Sequence, residues 1–336
     1  MSLKQLKTNQ LKMIERGSSS ELESSIHNVS DPIFIIDANV YRLYQSSFTF
    51  INEANFPCWI SPAGETTKNF KSLEKCLNYF LKHNVTRNTH LFVIGGGATS
   101  DFGGLVAHLI LRGISWSVIP TTLLAMVDAS IGGKVAISNR SGKNLIGSFH
   151  MPQTVYINPT YLETLPEAEI SSGKGEIIKY AFLSKKIYDL VINNANMSEI
   201  IFECASLKKA IIEADPFETK NSRIQLNLGH TIGHAIEKAY SIHHGTAVSL
   251  GIWILHNIFP YQNFATDYQK ICTAIGMSNE PDYSFIKFKR LKKYLEIDKK
   301  RDSKESINIV SIDEIGKFQT KNINLCDLET KLQELL

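Results

Sequence analysis

The run His90-Leu-Phe-Val-Ile-Gly-Gly-Gly97 decides the fold of this chain. A short apolar stretch that stops dead at glycine reads as a strand buried on both faces, at the point where the chain leaves a sheet and enters a helix. Three glycines there allow the backbone to approach a pyrophosphate and present amides to it. They lack the spacing of the dinucleotide fingerprint, and a strand-to-helix turn also takes glycine for steric reasons alone, so both readings stand. The Asp101 that follows reads equally as an N-terminal helix cap or a cofactor ligand.

The pattern repeats outward from this run. Ile33-Phe-Ile-Ile36 ends at Asp37, and Trp116 to Ile119 is a strand stopped by Pro120. Between the first two strands, residues 67–81 carry Phe70, Leu73, Leu77 and Phe80 at helical spacing with charges opposite. Leu105 to Leu111 is helical in pattern, and Thr154 to Ile157 is a last strand before Asn158-Pro159 breaks the alternation. Strands alternating with helices predict an α/β, Rossmann-like, doubly wound N-terminal domain with a parallel sheet, over residues 1–160. Beyond it, helix-like segments recur at 166–184, 199–214, 226–240 and 246–258, with one strand at Ile307 to Ile312. Residues 161–336 therefore read as a mainly α-helical second domain.

Composition narrows the function classes. Among 336 residues, 36 basic and 33 acidic side chains leave a net charge of +3, without the basic footprint of a nucleic-acid binder. Cys58, Cys76, Cys204, Cys272 and Cys326 are odd in number and scattered, which suits reduced thiols in a cytoplasmic protein. Met1 to Gly17 is polar and has no apolar core, so no secretory signal is expected. The apolar stretch Val248 to Phe259 is broken by His256 and Asn257 and is too short to span a bilayer.

The chemistry concentrates in a few segments. In Leu226-Asn-Leu-Gly-His-Thr-Ile-Gly-His-Ala-Ile-Glu237, His230 and His234 share one helical face, with Gly229 and Gly233 leaving the backbone open beside them. Two imidazoles one turn apart can converge on a metal ion, although such a pair also occurs as plain surface or core. Residue 231 is Thr where the familiar zinc-protease pattern has its general base, which argues against that class. Glu176, amid apolar neighbours, calls for a cation, either Lys179 or a metal. Between Pro120 and Pro152 lie Thr121-Thr122, Asp128, Gly132-Gly-Lys134 and Gly142-Lys-Asn144, a cluster suited to phosphate or carboxylate. It lacks the glycine spacing and the hydroxyl after Lys134 that a triphosphate loop requires. Lys208, Arg223 and Asn227 precede His230 along helical segments and together suit an acidic ligand.

As a set, these segments resemble the sugar phosphate cyclase family, and within it the 3-dehydroquinate synthases. The matching stretches are Gly64-Glu65 with Lys68, Gly95-Gly-Gly97 with Asp101, Arg112-Gly113, Pro120-Thr-Thr-Leu-Leu124, Val127-Asp-Ala-Ser-Ile-Gly-Gly-Lys134 and Gly142-Lys-Asn-Leu-Ile-Gly147. Further on come Leu162-Glu-Thr-Leu-Pro166, Gly175-Glu-Ile-Ile-Lys179, the histidine segment, His244-Gly245 and Asp298-Lys-Lys300, so the likeness covers about residues 33–318. It implies an NAD-binding first domain, a metal-binding second domain and an active site in the cleft between them. The implied metal ligands, for zinc or cobalt, are Glu176, His230 and His244, which moves His234 from the metal to the substrate phosphate.

The implied reaction turns 3-deoxy-arabino-heptulosonate 7-phosphate into 3-dehydroquinate, a step of the shikimate pathway. A ring carbinol is oxidised, phosphate is eliminated, the hydride returns, the ring opens, and an aldol step closes the carbocycle with no net redox. By the same resemblance, Asp128, Lys134, Asn144, His234 and Lys299 or Lys300 position the substrate and its phosphate. Lys179, Lys208, Arg223 and Asn227 hold its carboxylate and polar ring groups. NAD falls to Asp37, Asn39, Glu65, Lys68, Gly96, Gly97, Asp101, Thr121, Thr122, Lys143 and Thr164. Arg112 reaches the substrate of a second subunit, which implies a homodimer with no nucleic-acid or membrane partner.

The chain departs from the family pattern at Val135, where Thr follows Gly-Gly-Lys, and at Thr246, where Glu follows His-Gly. The loop Asp215-Pro-Phe-Glu-Thr-Lys-Asn-Ser-Arg223 is one residue longer than usual and carries Pro216 in place of an acid, and the stretch from Asp37 to Glu65 is short. Two alternatives follow. One is a related cyclase acting on sedoheptulose 7-phosphate or a similar sugar phosphate. The other is a non-catalytic homologue that binds NAD or a sugar phosphate. Lys208, Arg223, Asn227 and His234 favour a carboxylated substrate, since a neutral sugar would leave polar groups unpaired at about 1–3 kcal/mol each.

Overall fold

The computed structural model describes residues 13–16, 23, 24, 26, 28–302 and 305–336, with the backbone alone for 13–16 and 296–302. The chain divides into two compact units, Met1–Leu165 with Ala205–Phe217, and Pro166–Cys204 with Glu218–Leu336.

The first unit is built on a parallel sheet of six strands: β1 (Met13–Arg16), β2 (Pro32–Asp37), β3 (Cys58–Ser61), β4 (His90–Gly95), β5 (Ser115–Pro120) and β8 (Thr154–Ile157). Their order is β1-β8-β5-β4-β2-β3. Every residue of β2 and β4 is buried, as uninterrupted apolar runs require in a sheet covered on both faces. The rings of Phe34 and Phe92 stack across the two strands at 5.6 Å. Helices α1 (Ala38–Leu43), α2 (Thr49–Glu53), α3 (Phe70–Lys82) and α4 (Gly97–Leu109) fill the connections.

Helix α3 starts later than its apolar spacing suggests, because Asn69 is the cap and accepts from the Ser72 amide at 2.9 Å. Leu73, Cys76 and Phe80 form its buried face. Phe70, expected on that face, is 58% exposed as the first helical residue. Helix α4 begins at the triple glycine itself, with Gly96 as its cap, so Asp101 sits in the second turn and is not a capping residue. The helix lies against the sheet through glycine: an added Cβ would come 2.5 Å from Val93 Cγ2 at Gly103, and 2.4 Å from Val135 Cγ1 at Gly104. Val135 is thus a core residue, where a hydroxyl would gain nothing from packing.

The polar segment between Pro120 and Pro152 is not all loop. It contains a π-helical turn, Ala125–Ala129, and an antiparallel hairpin of β6 (Lys134–Asn139) and β7 (Gly142–Phe149).

The second unit is mainly helical: α5 (Glu167–Leu183), α6 (Lys185–Ile192), the first part of α7 (Met197–Ala214), α8 (His230–Tyr240), α9 (His244–Ile258), α10 (Phe264–Ile275), α11 (Phe288–Asp302) and α12 (Leu325–Leu335). An antiparallel hairpin, β9 (Ser306–Glu314) with β10 (Lys317–Asn324), completes it. Ile232, Ile236, Leu250, Ile254, Leu291 and Leu328 belong to one continuous buried cluster that joins α8, α9, α11 and α12.

Three helices of this unit approach at backbone distance. A Cβ on Gly175 of α5 would lie 1.9 Å from the Gly245 carbonyl oxygen, and one on Gly245 of α9 would lie 1.6 Å from that of Ser172. A Cβ on Gly251 would lie 2.1 Å from the Gly229 carbonyl oxygen, and one on Gly233 would lie 2.9 Å from that of Ala247. The space beside Gly229 and Gly233, expected to be open, is therefore filled by α9. Gly229, at φ 76°, also ends the turn Ser222–Asn227 and starts α8, so Asn227 and His230 do not share a helix.

Gly245→Ala is expected to destabilise the protein by about 3 kcal/mol or more, because backbone cannot yield as a side chain does. Gly276→Ala, at φ +66° with only Lys174 Nζ at 3.8 Å, carries a conformational penalty without the clash and is expected to cost about 1 kcal/mol. Thermal melts of the two variants check this, and equal midpoints would refute it.

Candidate functional site

In the second unit, the glycine contacts bring four side chains together. Each stands next to one of the contact glycines: Glu176 after Gly175, His230 after Gly229, His234 after Gly233, and His244 before Gly245. Each of the three histidines offers a ring nitrogen, all within 4.8 Å of one another. Glu176 is fully buried, and its Oε1 lies 3.2 Å from His244 Nε2 and 3.7 Å from His230 Nε2. Its other oxygen, Oε2, pairs with the ammonium of Lys179, which is also buried.

The outward nitrogens are engaged elsewhere. His230 Nδ1 donates to the Leu228 carbonyl oxygen at 3.1 Å, and His244 Nδ1 to Glu237 Oε2 at 2.9 Å. With both Nδ1 atoms engaged outward, the two Nε2 atoms point at Glu176, and these are the nitrogens a metal ion would take, displacing any proton held there. The Gly245 amide donates to Ser172 Oγ at 3.2 Å, so α5 satisfies a free N–H at the start of α9.

The two histidines respond oppositely to this setting. Burial holds His230 down at about 3; Glu176 works against it, while Lys179 and the other histidines add to it. Burial also opposes charge on His244, but the carboxylates of Glu176 and Glu237 outweigh it and raise the ring to about 10. A carboxylate with two imidazole nitrogens, each fixed by an outer partner, is a donor set that fits zinc or cobalt.

Of the other residues expected here, Lys179 sits on Glu176, while Asn227 and His234 are exposed. Arg223 is buried, with Glu218 Oε1 at 3.9 Å from its Nη1. His243 is exposed and faces Glu169 Oε1 at 3.6 Å. Lys299 and Lys300 fall in the part of α11 whose side chains lie outside the described residues.

In the first unit, candidates gather at the C-terminal ends of the strands, where open α/β sheets bind ligands. Asp37, at the end of β2, accepts from the Asn39 amide at 2.9 Å, the Gly64 amide at 3.0 Å and Thr99 Oγ1 at 3.1 Å. It fastens three segments there, leaving Asn39 and Glu65 exposed beside it. Lys68 is buried between Asp101 Oδ2, at 2.5 Å, and the side-chain oxygen of Asn144.

Gly96 packs against Thr122 and Gly97 against Ala129. The Thr121 amide donates to the Gly95 oxygen at 3.0 Å, and Thr122 Oγ1 accepts from the Ala125 amide at 3.2 Å. Lys208, from the part of α7 in this unit, donates to the Asp128 carbonyl oxygen at 2.7 Å and pairs with its carboxylate at 2.9 Å. Thr164 Oγ1 lies 2.8 Å from the Tyr44 hydroxyl. Lys134 and Lys143 are exposed on the hairpin, and Arg112 is exposed on a left-handed turn at φ 66°. Sequence reasoning missed Glu237 and Thr99. Glu237 stands seven residues after His230, on the same helical stripe, which is the signal that could have found it.

The family then follows from comparison. Residues 58–172 match the family model described as 3-dehydroquinate synthase N-terminal, and residues 173–301 the one described as 3-dehydroquinate synthase C-terminal. The chain belongs to the 3-dehydroquinate synthase family. A 3-dehydroquinate synthase of Staphylococcus epidermidis is 36% identical over 340 residues, which span 96% of this chain and 95% of the relative. Among solved structures, a 2-deoxy-scyllo-inosose synthase complexed with carbaglucose-6-phosphate, NAD+ and Co2+ is similar at TM-score 0.80 and 22% identity, over 96% of each chain. A 2-epi-5-epi-valiolone synthase of Streptomyces hygroscopicus subsp. jinggangensis, with NAD+ and Zn2+ bound, gives 0.81 and 20% over 97% of this chain and 96% of that one. These two likenesses establish the fold.

The Lys68–Asp101 pair makes a pH prediction. Burial raises the Asp101 carboxyl from 3.8 to about 6, although Lys68 pulls it down. A folded value above the unfolded one means that this contribution to stability is complete below pH ~4 and lost as pH rises through ~6. The melting temperature of the wild type relative to Asp101→Asn is therefore expected to fall between pH 4.5 and 7.5. A rising difference would contradict it.

Proposed function

We propose that the chain cyclises 3-deoxy-arabino-heptulosonate 7-phosphate to 3-dehydroquinate with release of inorganic phosphate, using NAD and a divalent cation, zinc or cobalt. The observation that carries this reading is the meeting of Glu176, His230 and His244 in the second unit, in a chain 36% identical to a 3-dehydroquinate synthase along nearly its whole length. When bound, NAD supplies a reversible hydride acceptor and the cation a Lewis acid at a substrate oxygen.

In this reading Glu176 Oε1 and the Nε2 atoms of His230 and His244 hold the cation, and exposed His234 serves the substrate. The first unit holds NAD along the strand ends, through Asp37, Asn39, Glu65, Lys68, Gly96, Gly97, Asp101, Thr121, Thr122, Lys143 and Thr164. Asp128, Lys134 and Asn144 serve the substrate phosphate, with Lys299 or Lys300. Lys179, Lys208, Arg223 and Asn227 serve its carboxylate and ring groups. Lys208 and Arg223 support a carboxylated substrate: each is a nearly buried cation kept in place by an acid, Asp128 or Glu218, and so preorganised for an anion. We place the enzyme in the cytoplasm, in the shikimate route to aromatic amino acids, as a homodimer in which Arg112 meets the partner's substrate. Among the described residues, no helix is long and apolar enough to cross a membrane.

The deciding assay offers the heptulosonate phosphate and sedoheptulose 7-phosphate separately to protein charged with NAD and cobalt, and follows phosphate release with the carbocyclic product. Turnover of the heptulosonate phosphate alone is expected. Release from sedoheptulose 7-phosphate alone would move the chain to a cyclitol-forming activity, and release from neither would end the cyclase reading. His230→Ala is expected to lose bound metal and activity together, while His234→Ala keeps the metal and loses turnover. Equal metal loss by the two variants, measured by atomic absorption after dialysis, would make His234 a ligand.

A further inference from the structure

The stripe of α8 that carries His230 and His234 continues one turn further to Glu237, the i+7 position, and this acid has no part in the family reading above. Its Oε2 receives the Nδ1 proton of His244 at 2.9 Å, across from the first residue of α9. The contact is sheltered, with side-chain exposures of 28% for His244 and 18% for Glu237. His230 makes the equivalent outward contact with a neutral backbone carbonyl.

The two imidazoles are therefore not equivalent. We propose that Glu237 is the positioning residue of the cation site, a carboxylate that fixes the tautomer and ring plane of His244 and makes Nε2 the more electron-rich of the two imidazole donors. This inference rests on His244 being a ligand, as proposed above.

The physical argument has three steps. A ring held only at its Cβ turns about χ2 and divides its population between tautomers, and each wrong state weakens the cation's affinity in proportion. A hydrogen bond at Nδ1 removes both freedoms, and a charged acceptor also pushes electron density toward Nε2. Charge balance supports the choice of a carboxylate here. Lys179 neutralises Glu176 on its Oε2 side, so the positive charge of an arriving cation is answered by Glu237 on the opposite side of the cluster. Neither α8 nor α9 needs Glu237 to pack, because their contact runs through Gly229, Gly233 and Gly251.

The test is a series at one position, read by cation binding and not by turnover. Glu237→Gln keeps an oxygen for the Nδ1 proton and removes the charge, whereas Glu237→Leu removes both. Titration of chelator-treated protein with Co2+ against a competing chelator is expected to show affinity about 10-fold weaker for Gln and about 100-fold weaker for Leu. The visible spectrum of bound Co2+ is expected to shift in both variants, and the loss of affinity to exceed what any fall in the metal-free melting temperature accounts for. A residue that only packs the helices would show the reverse, a lower metal-free midpoint with unchanged affinity and spectrum.

Wild-type affinity in both variants overturns the proposal, as does equal loss in both, which would leave the charge without a role. His244→Ala, measured alongside, separates the two levels. If it binds Co2+ as the wild type does, the ligand assignment itself has failed; if it loses Co2+ while the Glu237 variants do not, only the role of Glu237 has failed. For a Leu variant that does not fold, Glu237→Gln alone decides, together with the 15N shift of His244 Nδ1 in the zinc-loaded wild type, expected in the protonated range.

Discussion

The backbone contact of α5, α8 and α9 through glycine is the constraint on which the second unit depends. Helices carrying ordinary side chains pack with axes roughly 8–10 Å apart, and glycines facing another helix's carbonyls let them come closer. The shortest of these approaches, at Gly245, would put a Cβ 1.6 Å from a carbonyl oxygen. Such proximity is needed because Glu176 and the imidazoles are short arms. The same residues that remove bulk from the crossing stand next to those that supply donors, so packing and chemistry share one stretch of each helix. Few side chains could be exchanged there without disturbing both.

Around that crossing the polar groups are arranged from the outside inward. Leu228 and Glu237 fix the outer edges of two imidazoles, and Lys179 fixes the outer oxygen of the carboxylate. Facing inward are Oε1 of Glu176 and the Nε2 atoms of His230 and His244. The first unit follows the same plan with different parts. Asp37 is occupied in tying strand ends, and Lys68 lies between an acid and an amide. Charged side chains in both units are held by other protein groups before any ligand arrives, which lowers the entropy that binding has to overcome.

Much of the first unit was legible because its buried strands announce themselves. The runs ending at Asp37, Gly95, Pro120 and Ile157 are mostly apolar and close on Asp, Gly or Pro, or just before Asn158-Pro159, so the expected spans lie within a residue or so of β2, β4, β5 and β8. Edge strand β3 was not legible: Cys58-Trp-Ile-Ser61 is partly exposed and only four residues long. The hairpin of β6 and β7 was hidden by glycines, lysines and asparagines that read as a loop. Helices α6, α10, α11 and α12 passed unnoticed for want of a caps-and-period signal strong enough to separate them from their neighbours. At the candidate site, periodicity could align His230 with His234, because that relation is local. Glu176 and His244 join them only through a crossing of helices, a tertiary fact with no local period: Glu176 was legible as an acid wanting a cation, but its grouping with His230 and His244 came through resemblance alone.

The pairing of Glu176 with Lys179 bears on how the protein is made and kept. In small zinc domains the ion is a structural member, and the chain collapses without it because its ligands would otherwise be buried charges lacking an answer. Here the deepest carboxylate already has an ammonium beside it, and the core beneath is formed by Ile232, Ile236, Leu250 and Ile254. The second unit therefore has the means to complete its fold without a cation at this cluster. Under the proposed function, metal supply would then control how much of the protein is active without controlling how much of it survives.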